Sequence, residues 1–339
     1  MRVLVTGGAG FIGANLCREL ATRPEIDDVI ALDDLSTGSA ENLRGVGAKL
    51  VEGSILDRDL LADLAGTVEA VVHLAALPSV PRSLADPLRT YEVNATGTIY
   101  LLEACRRKSL YVVAASSSSV YGAASVSPKH EDLPTRPLSP YAMSKLAAEA
   151  AVLSYGTAFG LSTLALRFFN VYGPLQTAGH PYAAVVPTFI ASAVSGERLQ
   201  IHGDGLQARD FTFVTTVTSV LADAVLRQVT SPAPVNLALG TRVSVAELAE
   251  RVATATGLRP EICYGPARPG DVRDSQADTA RLRALFPHVR PVSLDEGLSE
   301  TVAWFRQAWP GFAGLHDGVL PRQAEKVEET AWRPASRQR

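Results

Sequence analysis

Cysteine is scarce in this 339-residue chain: Cys17, Cys105 and Cys263 stand far apart, odd in number, with no CxxC pair and no histidine at ligand spacing. Disulfide frameworks and structural zinc sites need paired or clustered ligands, so the three read as buried thiols and no metal is expected. Long apolar runs are missing too. Nothing approaches the ~18 apolar residues that mark a membrane-crossing helix, and Met1-Arg2 leads straight into a strand-like Val3-Leu4-Val5 with no signal-peptide pattern. A soluble, cytoplasmic protein with no membrane partner is the expectation. Excess charge of one sign is also absent, since 32 Lys and Arg face 35 Asp and Glu for a formal net charge of −3. Proteins that hold a nucleic-acid backbone concentrate Lys and Arg to displace its counterions, so no nucleic-acid partner is expected.

What is present is a rhythm. Short β-branched runs (VLVTG, DVIALD, AKLVEG, AVVHLAA, LYVVAAS) alternate with longer amphipathic stretches, the pattern of βαβ units. It predicts an α/β fold with a doubly wound, Rossmann-type parallel sheet. An Ala-rich, Pro-free stretch from Tyr141 to Tyr155 favours helix and precedes another strand, STLALRFFN. After about Asn170 the rhythm loosens at Pro174, Pro181 and Pro187, and shorter helices such as SVAELAERVATATG follow. The reading is a first domain over residues 1–170, a smaller lobe over 171–309 partly interleaved with it, and a polar, flexible tail over 310–339.

The first strand runs into Gly7-Gly8-Ala9-Gly10-Phe11-Ile12-Gly13. At a strand-to-helix turn glycine lets the backbone approach a pyrophosphate resting on the helix N-terminus, although turns need glycine for other reasons. Asp33, about 20 residues on at the end of the second strand, stands where a carboxylate accepts from the adenosine ribose and repels a 2′-phosphate. With Asp34 beside it, the expectation is NAD in preference to NADP. An ordinary turn aspartate is the other reading of Asp33.

Tyr141 and Lys145 lie four residues apart and so on one helix face. A phenol of pKa ~10 is a poor base at neutral pH, and shifting it to about 7 takes about 4 kcal/mol of differential stabilisation. A neighbouring ammonium and the positive nicotinamide ring would supply that, so Lys145 is expected to lower the Tyr141 pKa. The strand YVVAA delivers Ser116-Ser117-Ser118-Ser119 to the carboxyl end of the sheet, where such folds bind ligands.

Together MRVLVTGGAGFIG, VVHLAA, SSSSVYG, YAMSK and LRFFNVYGP resemble the extended short-chain dehydrogenases/reductases that modify nucleotide sugars, over about residues 1–308. The resemblance implies catalytic roles for Ser117, Tyr141 and Lys145. It also implies cofactor contacts from Leu74, Ala75 and Ala76 of HLAA, from Ser54 and Ile55 near the adenine, and from Asn94. Ser54 replaces a frequent aspartate, which weakens that contact. Relatives that expel water carry carboxylates at both positions after the catalytic residue and those that expel carbon dioxide usually carry one at the second, whereas this chain has Ser118 and Ser119. The resemblance thus points to a UDP-sugar 4-epimerase in which NAD stays bound. A 4-reductase, a dehydratase or decarboxylase, and a non-catalytic NAD-sensing scaffold are the alternatives; the last would be expected to lose Tyr141 or Lys145.

For the UDP-sugar substrate, the resemblance implies a grip by Asn170, Val185 of YAAVVP, His202, Arg209, and Arg268 with Asp271 of ARPGD. Arginine suits a diphosphate because its planar fork donates two charge-assisted hydrogen bonds, though either arginine alone could be a surface ion pair. His202 reads equally as an ordinary exposed histidine. Thr215-Thr216 stands where relatives often carry two aspartates. Ser275 falls where relatives that exclude N-acetylated sugars carry a bulky side chain, which leaves room for an acetamido group. The serine run Ser117–Ser119 favours UDP-glucuronate instead, with UDP-glucose as a second substrate. A homodimer is the expected assembly.

Overall fold

The computed structural model describes residues 1–178, 183–267 and 273–308. The apolar runs of the first half form β1 (Arg2–Thr6), β2 (Asp28–Asp33), β3 (Lys49–Glu52), β4 (Ala70–His73), β5 (Tyr111–Ser117) and β6 (Thr163–Phe168). All pair in parallel, and Val235–Leu237 adds beside β6, giving a seven-stranded sheet in the order Val235–Leu237, β6, β5, β4, β1, β2, β3. The strand order reverses between β1 and β4, which opens a crevice at their carboxyl ends.

Alternate side chains feed two cores. Val3 and Val5 pack with Leu16, Cys17 and Leu20 of α1 (Phe11–Ala21) and with Val217 and Leu221 of the helix Val214–Arg227. Leu4 faces the opposite side, against Leu61, Leu101, Leu102 and Val152. A sheet covered on both faces has no polar side, which is why its strands read as continuous apolar runs.

Beyond residue 170 the chain divides its effort. The helix Val214–Arg227 and the strand Val235–Leu237 return to the sheet, while Phe189, Ile190, Phe211, Leu248 and Val252 build a third core in the smaller lobe. The helix Val245–Thr256 opens on a capping box between Ser244 and Glu247 and stops at Gly257, whose φ is +70°. Thr216, where an aspartate was noted as usual, accepts a hydrogen bond from Val292 N and so ties this lobe's last stretch to the helix. Pro181 and the segment 310–339 lie outside the described residues.

Cys17 and Cys105 are buried free thiols, pushed up to about 12 by desolvation. Cys263 corrects the expectation of burial. It is half-exposed because its strand Ile262–Gly265 belongs to a two-stranded sheet with Leu199–His202. Among the described residues no helix is long and apolar enough to cross a membrane, and no group of three His, Cys, Asp or Glu side chains could hold a metal ion.

Candidate active site

The turn between β1 and α1 is shaped by contact distances that exclude side chains. A Cβ on Gly7, whose φ is +69°, would lie 2.8 Å from Ala75 N, and one on Gly13 would lie 2.0 Å from Gly7 O. Gly10 caps α1 with no side-chain hydrogen bond and no acid in the first turn. The amides of Phe11 and Ile12 therefore open a helix N-terminus left for an anion, the cradle a pyrophosphate fits. Leu74, Ala75 and Ala76 continue from β4 as the opposite wall. Leu74 N donates to Thr6 O at 3.1 Å and Ala75 N to Thr6 Oγ1 at 3.2 Å.

Asp33, at the end of β2, accepts from Ala9 N and Leu35 N, both at 2.9 Å. Burial raises its carboxyl pKa against those two bonds. Asp34 is arranged differently: it is exposed and caps its own turn by accepting from Ser36 N and Ser36 Oγ. Ser54 also serves a turn, accepting from Leu56 N at 3.2 Å. Ile55 is a core side chain against which a Cβ on Gly97 would collide at 2.7 Å.

The helix Pro140–Phe159 begins on a Ser139 cap, which accepts from Ala142 N at 3.1 Å, with Pro140 pre-set at its first position. That start places Tyr141 in the first turn and Lys145 one turn later. Ser117, the last residue of β5, faces Tyr141, and their hydrogen bond works against a burial that raises the phenol's pKa. The expectation named Lys145 and the nicotinamide ring as the groups that lower this pKa; within the protein itself the group that lowers it is Ser117. Lys145 is itself buried and pushed down to about 8 by desolvation, which Glu149 partly opposes. Ser117 Oγ further accepts from Ser119 N at 3.2 Å and from Ser119 Oγ at 2.9 Å. With both acceptor positions filled, its own proton is left for Tyr141 or a substrate oxygen.

Asn94 lies in a π-helical turn over Glu92–Thr96 and is 1 % exposed, so it holds structure here and does not face open solvent. Its amide oxygen accepts from Leu77 N at 2.7 Å, and its Nδ2 donates to Leu77 O and to Ser144 Oγ.

In the second lobe, the two-residue strand Ala208–Arg209 is flanked by Val243–Ser244 and Asp274–Ser275. Arg209 and Ser275 are register partners, so their side chains emerge together. Asn170, with φ +31°, donates from Nδ2 to Asp210 O at 3.1 Å and brings this strand to the end of β6. Val185 starts the helix Val185–Val194, and His202 ends the strand Leu199–His202 half-buried. Arg268 and Asp271 lie outside the described residues.

Three buried groups escaped the sequence reading. Asp210 is wholly buried and accepts from Leu239 N, Gly240 N, Thr241 Oγ1 and Ala277 N, pinning two segments, 239–241 and the stretch at 277, to the chain beside Arg209. Its only signal was its place in ARDF. Glu149, one turn past Lys145, accepts from Ser116 Oγ at 2.6 Å and takes both forks of Arg167, at 2.9 and 2.7 Å. The spacing of Tyr141, Lys145 and Glu149 on one face was visible, but the partner from β6 was not. His73 is neutral, its pKa lowered to about 3 by burial and by the Lys145 cation.

The chain is similar to known proteins over most of its length. Residues 3–238 match the NAD dependent epimerase/dehydratase family. This chain belongs to that family. It is 39 % identical over 317 residues to the UDP-glucose 4-epimerase of Mycolicibacterium smegmatis, covering 90 % of this chain and 99 % of that one. The UDP-N-acetylglucosamine 4-epimerase of Methanobrevibacter ruminantium, solved with UDP-N-acetylmuramic acid, superposes with a TM-score of 0.85 at 35 % identity over 91 % of this chain and 98 % of its own. The UDP-glucose 4-epimerase of Thermus thermophilus, solved with NAD, gives 0.82 at 35 % identity over 91 % and 100 %. The cofactor of this enzyme is NAD, which the glycine cradle, the bare α1 N-terminus and Asp33 fit.

Proposed function

We propose that this protein is a UDP-sugar 4-epimerase, carried by one observation: Ser117 and Tyr141 face each other with Lys145 a turn away, and no carboxylate follows Ser117. Elimination needs an acid at the Ser118 or Ser119 position, and the buried Glu149 is already engaged by Ser116 and Arg167.

Tyr141 as phenolate takes the proton of the sugar C4 hydroxyl, and Ser117 Oγ donates to that oxygen as charge develops. Lys145 supplies the buried positive charge that favours the phenolate. NAD, when bound, supplies reversible oxidation and reduction at the sugar C4. A turn of the 4-keto sugar before the return step presents its other face, and Tyr141 gives the proton back. The Arg209 and Ser275 pair, held up by Asp210, is assigned to the diphosphate and sugar, with Arg268 and Asp271 completing the grip.

For the sugar, UDP-glucuronate is the first candidate. Ser119 Oγ is bonded to Ser117, while among the described residues Ser118 has no side-chain partner and is available to a C6 carboxylate. The small Ser275 beside Arg209 favours acceptance of an N-acetylated sugar as well. Two copies would pair through Leu84, Leu88, Tyr91 and Ile99, large apolar side chains that are exposed on one copy. Sedimentation of wild type and Leu88→Lys checks this; a monomeric wild type rejects it.

The deciding experiment incubates protein with UDP-glucose, UDP-glucuronate and UDP-N-acetylglucosamine in turn and separates the products. A C4 epimer formed without net change in NADH absorbance is expected. Stoichiometric consumption of added NADH would make the protein a reductase, and loss of water or carbon dioxide would make it a dehydratase or decarboxylase.

A further inference from the structure

A chain of buried hydrogen bonds joins the two walls of the cofactor crevice to the catalytic helix. Its middle is directed by bonding capacity. Thr98 Oγ1 donates its one proton to Asn94 O at 2.6 Å, so its contact with His73 Nε2, at 2.8 Å, requires the imidazole to donate. A neutral His73 then presents Nδ1 as acceptor to Thr6 Oγ1, also at 2.8 Å. Thr6 Oγ1 in turn accepts from Ala75 N, the residue that faces Gly7. At the other end Asn94 Nδ2 donates to Ser144 Oγ at 3.0 Å, and Ser144 Oγ donates to Tyr141 O at 2.8 Å.

Thr98 stands where this chain meets the backbone. Its hydroxyl bonds the carbonyl four residues back, a contact that competes with regular helix bonding and bends helices. The contact closes over the π-helical turn Glu92–Thr96, in which Asn94 bonds Leu77 and Ser144. Thr98 and Asn94 are each 1 % exposed, so water cannot replace a lost partner.

We propose that Thr98 is a positioning residue for the reaction: bridging His73 and Asn94, it sets the π turn and, through Asn94 and Ser144, the place of Tyr141 relative to the cofactor crevice. This deepens the epimerase reading and rests on it for the assignment of Tyr141. The charged and titratable groups around the chain are His73 within it and, from the catalytic helix, Lys145 and Glu149, the latter lining one small cavity with His73 and Thr98; from β5 the uncharged Ser117 bonds Tyr141.

The test compares Thr98→Val, which keeps shape and loses both bonds, with Thr98→Ser, which keeps them. The Tyr141 phenolate is titrated in NAD-loaded protein by ultraviolet difference absorbance, with Tyr141→Phe as the blank. Thr98→Val should titrate about one unit higher than wild type, and Thr98→Ser should match wild type. On whichever UDP-sugar wild type turns over, Thr98→Val should lose on the order of 10- to 100-fold in kcat with little change in KM, as a small displacement of a reacting group does. A wild-type titration in folded Thr98→Val overturns the proposal, as does a Thr98→Ser variant as impaired as Thr98→Val. If Thr98→Val does not fold, Ser144→Ala cuts the far end of the chain, and an unshifted titration there overturns it equally. A wild type that epimerises no UDP-sugar defeats the epimerase reading alone, because the titration still decides the role of Thr98.

Discussion

Replacing Arg167 with Met tests whether the pair behind the active site is structural capital or decoration. Both side chains are almost wholly buried, 4 % and 3 % exposed, with Arg167 Nη2 and Glu149 Oε1 2.7 Å apart. The guanidinium also lies over the Tyr121 ring, 4.6 Å from its centroid, and donates to Glu131 O. Met fills much of the volume but leaves the Glu149 carboxylate buried with Ser116 as its remaining hydrogen-bond partner and the Lys145 cation one turn away. Removing one partner of a buried pair costs about 3–5 kcal/mol because the other charge is stranded, whereas exchanging both for apolar residues is often close to neutral. Urea unfolding of Arg167→Met, Glu149→Leu and the double variant, followed by far-ultraviolet circular dichroism with recovery checked on dilution, measures the coupling. The single Arg167 variant should fall by about 3 kcal/mol or more, and the double variant should regain a large part of that. A double variant whose loss equals the sum of the two single losses would refute the reasoning, since no stranded charge would then be at work.

Tyr141→Phe should bind NAD like wild type and lose at least ~10²-fold in turnover, the scale of a positioned acid/base; calorimetry and steady-state rates check the two halves, and retained turnover points to another base. Stripped protein should bind NAD at least ~10²-fold more tightly than NADP, since like charges placed together cost several kcal/mol, and equal affinities by titration calorimetry would remove Asp33 from that role. His73 binds its proton far less readily folded than unfolded, with a pKa of about 3 against its ordinary 6.5. Between those values the unfolded chain holds more protons, so stability present above pH ~6.5 is lost as pH falls toward 3. Urea midpoints followed from pH 7 to 4 should therefore drop more steeply for wild type than for His73→Gln, and parallel slopes would contradict a neutral buried imidazole. Ser275→Tyr should end turnover of UDP-N-acetylglucosamine and spare UDP-glucose, and a variant that still accepts the N-acetyl sugar would show that Ser275 is not the pocket wall.

The sequence alone determined the sheet and its cofactor corner. Apolar runs of strand length separated by helix-length segments leave few ways to bury both faces; Gly7 is required locally by its φ of +69°, and Gly13 and Asp33 by contacts within one βαβ unit. The helical spacing of Tyr141 and Lys145 was legible for the same reason, since four residues along a helix fix a shared face. Tertiary structure decided what depends on partners far away in the chain. Glu149 meets Arg167 from the neighbouring strand, Asp210 gathers amides from residues 239, 240 and 277, and Thr98 meets His73 from β4. It also supplied protein partners that sequence position does not show: Ser54 and Asp34 bond within their own turns, and Asn94 bonds Leu77 and Ser144. A polar side chain bonds whatever lies within about 3 Å once burial removes water, and which groups those are is set by packing between segments that no local pattern records.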